Sequence, residues 1–217
     1  MSAQIVAALV VPSPPLQLAA YAGSTDPGAD LRERSVGALA ALLAEFSIDE
    51  VVVLTGHERE PRHTRGAVGA RVAARLLDEA GWAGRTHEIV VPFDATDAEV
   101  AAAAAGIPSP AGPLNDSPGD RVLLLVPADL SAKRTVRAPG HFDERAEGVD
   151  NAVLGALHTG DAAALAALDP HLCADLWLTG RAALQTLATL MPTPRAARLL
   201  WADAPYGVQY VLARWAA

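Results

Sequence analysis

The chain holds one cysteine, few aromatic residues and no excess of positive charge. A lone thiol, Cys173, excludes an intramolecular disulfide and a thiolate zinc cluster. Its apolar helical surroundings mark it as a buried thiol rather than a nucleophile. Aromatics make up 5% of the 217 residues while hydrophobic residues make up 51%, so Ala, Val and Leu must build the core. The formal net charge of −8 lacks the basic footprint of a nucleic-acid binder and suits a protein that handles small molecules. No apolar run is long enough to span a bilayer, and the opening MSAQIVAALVV has no basic flank. It reads as a first strand, and a cytoplasmic protein without a membrane partner is expected. Also missing are GxxxxGK[ST], a GxGxxG after a strand and a GxSxG elbow, so neither nucleotide binding nor serine hydrolysis has motif support.

What the chain does contain is a succession of buried strands and helices. Ile5–Val11 forms a strand that stops at Pro12-Ser13-Pro14-Pro15, because three prolines in four residues cannot continue a ladder. Asp30 and Glu33 predict a capping box before a helix reaching about Phe46, with Val36, Leu39, Leu42, Leu43 and Phe46 on one face. Val51–Leu54 is a second strand leaving at Thr55-Gly56-His57, followed by the charged run HEREPRHTRGAVGA. There Arg59, Arg62 and Arg65 suit a carboxylate or phosphate on a small ligand. A helix over 68–79, a strand over 87–91 and a short Ala-rich helix after Asp97 follow, then a Pro/Gly loop from Gly106 to Gly119.

Val122–Val126 is five consecutive branched apolar residues, a strand buried on both faces, broken at Pro127 into Asp129, Leu130 and Ser131. Beyond it, Asp143 and Asp161 predict helix starts, and Asp169-Pro170 predicts a long helix ending near Met191-Pro192. Two strands, 198–202 and 208–215, close the chain around Asp203-Ala204-Pro205-Tyr206-Gly207. Alternating elements predict one domain over 1–217, a three-layer α/β/α sandwich with a mostly parallel or mixed sheet. In such sheets ligands collect beyond the carboxyl ends of the strands. That edge would gather Ser13, His57 and the Asp129 segment, with Asp203 from the closing loop.

These motifs resemble the LigB/Memo superfamily, the class III extradiol ring-cleavage dioxygenases and their relatives. The resemblance rests on the Pro-rich exit of the first strand, on Asp129-Leu130-Ser131 with Ala138-Pro139-Gly140-His141-Phe142-Asp143, and on Pro205-Tyr206-Gly207-Val208. It implies a LigB-like fold and non-haem Fe(II), or another divalent metal, in a triad of two His and one Glu that binds a catechol-like aromatic beside dioxygen. By position, His57 matches one family His, Ser13 stands where the other is common, and Asp203 replaces the Glu. Ala132 stands where the family's acid/base His follows Asp-Leu-Ser. The resemblance therefore implies lost or altered iron catalysis, with His63 as a substitute ligand and His141 as a substitute acid/base group beside Asp129 and Ser131. The alternatives are a catalytically inactive relative that keeps the pocket for a small ligand, or a partner subunit, with no metal bound. Related proteins often pair subunits, so a homo-oligomer is a further expectation.

Overall fold

A computed structural model describes residues 4–18, 26–59, 66–107 and 120–217. Six strands form one sheet: β1 (Gln4–Val11), β2 (Glu50–His57), β3 (Arg85–Pro92), β4 (Arg121–Pro127), β5 (Ala196–Asp203) and β6 (Tyr210–Ala216), in the order β3-β2-β4-β1-β6-β5. The first four are mutually parallel, whereas β6 runs antiparallel to both β1 and β5. The expected mixed sheet is therefore present, with its antiparallel part confined to one side.

The period-two pleat divides the core into two. Ala7, Leu9, Val51, Val53, Leu123 and Leu125 face α1 (Ala29–Glu45) and α2 (Val68–Glu79). Their alternates Ala8, Val10, Val52, Leu54, Leu124 and Val126 face the opposite layer. That layer holds α3 (Asp97–Ala105), α4 (Arg145–Thr159), α5 (Ala162–Ala166), α6 (Pro170–Asp175) and α7 (Arg181–Leu190). Strands β1 and β4 are buried on both faces because helices cover both sides, which is why they read as unbroken apolar runs. No described helix is long and apolar enough to cross a membrane.

Several boundaries differ from the sequence expectation, each for a local reason. The Asp30/Glu33 capping box does not form; the helix starts at Ala29, and Asp30 instead bonds Arg34 at 2.9 Å. Gly28 occupies the cap because a Cβ there would lie 2.4 Å from the Leu16 carbonyl oxygen. Asp143 caps α4 from one residue further out than expected, accepting the Arg145 N–H at 3.0 Å. Asp161 and Asp169 accept first-turn N–H groups of α5 and α6 as expected.

The largest difference is the long helix expected after Asp169, which is two helices. Helix α6 ends at Asp175, Trp177 adopts a left-handed φ of 55°, and the Leu178 N–H returns to the Cys173 carbonyl at 2.8 Å. That is a Schellman-type ending with Trp where Gly is usual. The break lets Gly180 reach β4: its N–H donates to the Asp129 carbonyl at 2.9 Å, and a Cβ on it would lie 2.7 Å from Ala128 Cβ. Apolar periodicity runs through the break, so it does not register as an interruption.

Candidate functional site

The exits of β1, β2 and β4 surround a cavity of about 280 Å³. Ser13 and Pro15 follow β1, Thr55, Gly56 and His57 end β2, and Pro127 ends β4 with Ala128 and Asp129 just beyond it. Helices α2 and α7 pack over the β2–β4 pair, one from each face, and both present their amino ends here through Val68, Gly69 and Gly180. Connections from β2 and β4 leave towards opposite faces, which opens the crevice that ligands occupy in α/β sheets.

Two glycines make this closeness possible. A Cβ on Gly69 would lie 2.1 Å from Thr55 Oγ1, so α2 can lie this near to β2 only without a side chain there. A Cβ on Gly56 would lie 2.6 Å from the Phe93 ring, which forms the aromatic wall. Phe93 is anchored from both sides. Its N–H donates to the His57 carbonyl at 2.8 Å, and its own carbonyl accepts from Arg181 at 2.8 Å. Arg181 is fully buried, and it also donates to the Ala95 carbonyl and to Gln185 Oε1.

Asp129 is the sheltered carboxyl among the described lining residues, Glu58 being exposed. The Ser13 N–H donates to its Oδ1 at 2.8 Å. Burial pushes the Asp129 carboxyl up to about 7, against the lowering effect of the Ser13 backbone and hydroxyl. Tyr210, buried at the start of β6, has its phenol raised by burial and by the neighbouring Asp129 charge. His57 is half-buried at the cavity wall. Ser13, His57 and Asp129 thus meet as the strand order implied.

The other described candidates do not join them. Asp203 ends β5, is exposed, and accepts the N–H of Ala204 at 2.7 Å. Strand β5 runs in the same direction as β2, but β4, β1 and β6 lie between them. Four strand spacings of ~4.8 Å put roughly 19 Å between His57 and Asp203. The expectation that these two groups face one hollow is therefore corrected. Its cause is the strand order, which puts β4, β1 and β6 between the two groups.

Ser131 is likewise structural. It is fully buried, and its N–H and Oγ donate to the two carboxylate oxygens of Asp150 at 2.9 and 2.6 Å. Burial raises the Asp150 carboxyl, and Arg134 lies 3.7 Å away. His141 is exposed, has a φ of 60°, and lies in the β4–α4 loop outside the cavity. His63 falls outside the described residues, as do Arg62 and Arg65. Arg59 is taken up by Asp94 and Glu99, at 3.2 and 2.8 Å, so it does not serve as a ligand anchor.

The triad implied by the resemblance does not fit this arrangement. Ser13 and His57 reach the cavity, Asp203 does not, and among the described residues no group of three His, Cys, Asp or Glu side chains could hold a metal. Sequence reasoning missed Asp150, Phe93, Thr179, Gly180 and Tyr210. Asp150 left a signal, since it shares the buried stripe Ala146, Val153 and Leu157 of α4. A carboxylate at such a position requires partners. No protein-family model matches the chain, and no curated protein shows significant similarity to it.

Proposed function

We propose that this chain is a LigB/Memo-type protein, kin to the class III extradiol ring-cleavage dioxygenases, that uses its carboxyl-edge cavity to bind a small molecule while the family's Fe(II) chemistry is lost or altered. The observation that carries the small-molecule reading is the joint placement of Ser13, His57 and Asp129 around one cavity. Asp203, four strands away, supports the loss of the iron site, and the kinship rests on the sequence resemblance alone. A serine and one imidazole are a poor donor set for Fe(II), which is held by two imidazoles and a carboxylate in the facial triad. The carboxylates that reach the cavity, Asp129 and Glu58, follow β4 and β2 and do not belong to the closing loop.

Anaerobic Fe(II) loading, metal analysis and titration with catechol test the chemistry. The expected result is iron well below one equivalent and no charge-transfer band. Stoichiometric iron with ring opening beside the diol defeats the reading of lost or altered chemistry. A thermal-shift screen of small molecules tests the pocket, since a bound ligand raises the melting temperature by mass action. Hits should vanish in Val68→Trp, because Val68 is partly exposed at the cavity wall and an indole there would fill it. Hits that persist in this variant would place binding elsewhere.

A further inference from the structure

Among the described residues, Asp129 differs from the other sheltered carboxylates in having no cation within ion-pair distance. Among the described residues, Asp26, Glu50, Glu99, Asp120, Asp143 and Asp150 are also less than fully exposed, and each has an arginine within 4.0 Å. The partners of Asp129 among the described residues are the N–H and hydroxyl of Ser13. The charged side chains among the described lining residues are Asp129 itself and Glu58 at the rim, both acidic. Arg59, two residues beyond β2, is already engaged by Asp94 and Glu99. The amino ends of α2 and α7 favour an ionised carboxylate here, but a helix end acts only through partial charges. A sheltered carboxylate gains most from a hydrogen-bonded cation.

From this we infer that the cavity takes a small organic cation, a protonated amine seated against the Asp129 carboxylate with its apolar part on Phe93, Pro15 and Val68. The inference rests on the small-molecule reading of the cavity and names the ligand class. An ammonium offers three N–H donors, enough to span Asp129 and the Ser13 hydroxyl. The Phe93 ring supplies the aromatic surface that a cation favours over a neutral group. Glu58 at the rim adds attraction for the approaching charge, as does the net charge of −8.

Three probes of one shape separate charge from size: benzylamine, benzyl alcohol and benzoate. Titration calorimetry at pH 8 should show benzylamine binding tighter than benzyl alcohol by about tenfold or more, with benzoate weakest. Asp129→Asn keeps an acceptor for the Ser13 N–H, so it should fold, as its circular dichroism and melting curve would show. It should erase the preference for the amine while leaving the alcohol within about twofold. Glu58→Gln should retain most of the preference, because the rim charge is solvent-screened.

The inference is overturned if the alcohol or benzoate binds as well as the amine, if the preference survives Asp129→Asn, or if none of the three binds. Failure of the small-molecule reading looks different, since thermal-shift hits of any charge would then be indifferent to Val68→Trp.

Discussion

The Ser13 N–H donates to Asp129 Oδ1 across 2.8 Å, joining the exits of two adjacent parallel strands that are 116 residues apart in sequence. Pro12 and Pro14 flank Ser13 and end the β1 ladder, which frees its N–H for a side chain rather than for a neighbouring strand. The same contact leaves the carboxyl sheltered without a formal positive charge, and its titration follows from that.

Asp129 makes stability depend on pH in an unusual direction for a carboxyl. Its folded value of about 7 lies above the ordinary 3.8, so the folded state holds the proton more tightly than the unfolded chain. The resulting stabilisation is complete below about pH 4 and is lost as the pH rises through 7. The stability of the wild type minus that of Asp129→Asn should therefore fall between pH 4 and pH 8, by about 2 kcal/mol once water in the cavity is allowed for. Urea titrations of both proteins at the two pH values measure it, and a flat or rising difference contradicts the assignment.

Asp150 should matter more for folding than for binding. Replacing it by Ala strands the buried Ser131 N–H and Oγ and removes the carboxylate beside Arg134. A loss of about 3 kcal/mol is expected, against about 1 kcal/mol for Ser131→Ala, which keeps the backbone bond. Chemical denaturation reads both. Ligands that bind the cavity should bind Ser131→Ala as they bind the wild type.

Gly69→Ala tests how closely α2 approaches β2. Its Cβ would meet Thr55 Oγ1 at 2.1 Å and Pro127 Cβ at 3.0 Å, so a loss of about 2 kcal/mol is expected. Removing the Thr55 hydroxyl and methyl in the double variant with Thr55→Ala should recover about 1 kcal/mol of that loss. Additive effects in the double-mutant cycle would mean that the helix shifts as a body rather than against Thr55.

Asp203→Ala and His57→Ala separate the two groups that the resemblance pairs. Asp203 is exposed and bonds its own turn, so its removal should change stability by less than about 0.5 kcal/mol and leave cavity ligands unaffected. His57 lines the cavity, so its removal should alter the melting-temperature increment produced by those ligands. Equal loss of ligand response in both variants would show that the two residues share a site after all.

Much of this architecture is written in local pattern. The apolar runs Ile5–Val11 and Val122–Val126 read as strands, the second covered on both faces, and Pro12 and Pro127 mark where they end. Asp161 and Asp169 announce their helices because a side-chain oxygen must meet the unpaired N–H groups of a first turn. With four strands parallel, the carboxyl-edge meeting of Ser13, His57 and Asp129 follows from the order of elements.

Tertiary structure alone decided the rest. Which strands become neighbours depends on packing between distant segments, and the order β2-β4-β1-β6-β5 holds Asp203 away from His57. The break at Trp177 brings Gly180 against Ala128 and Asp129, a contact invisible in the periodicity of residues 170–190. Residue type and spacing are local properties, whereas a cavity is an agreement among segments separated by a hundred residues or more.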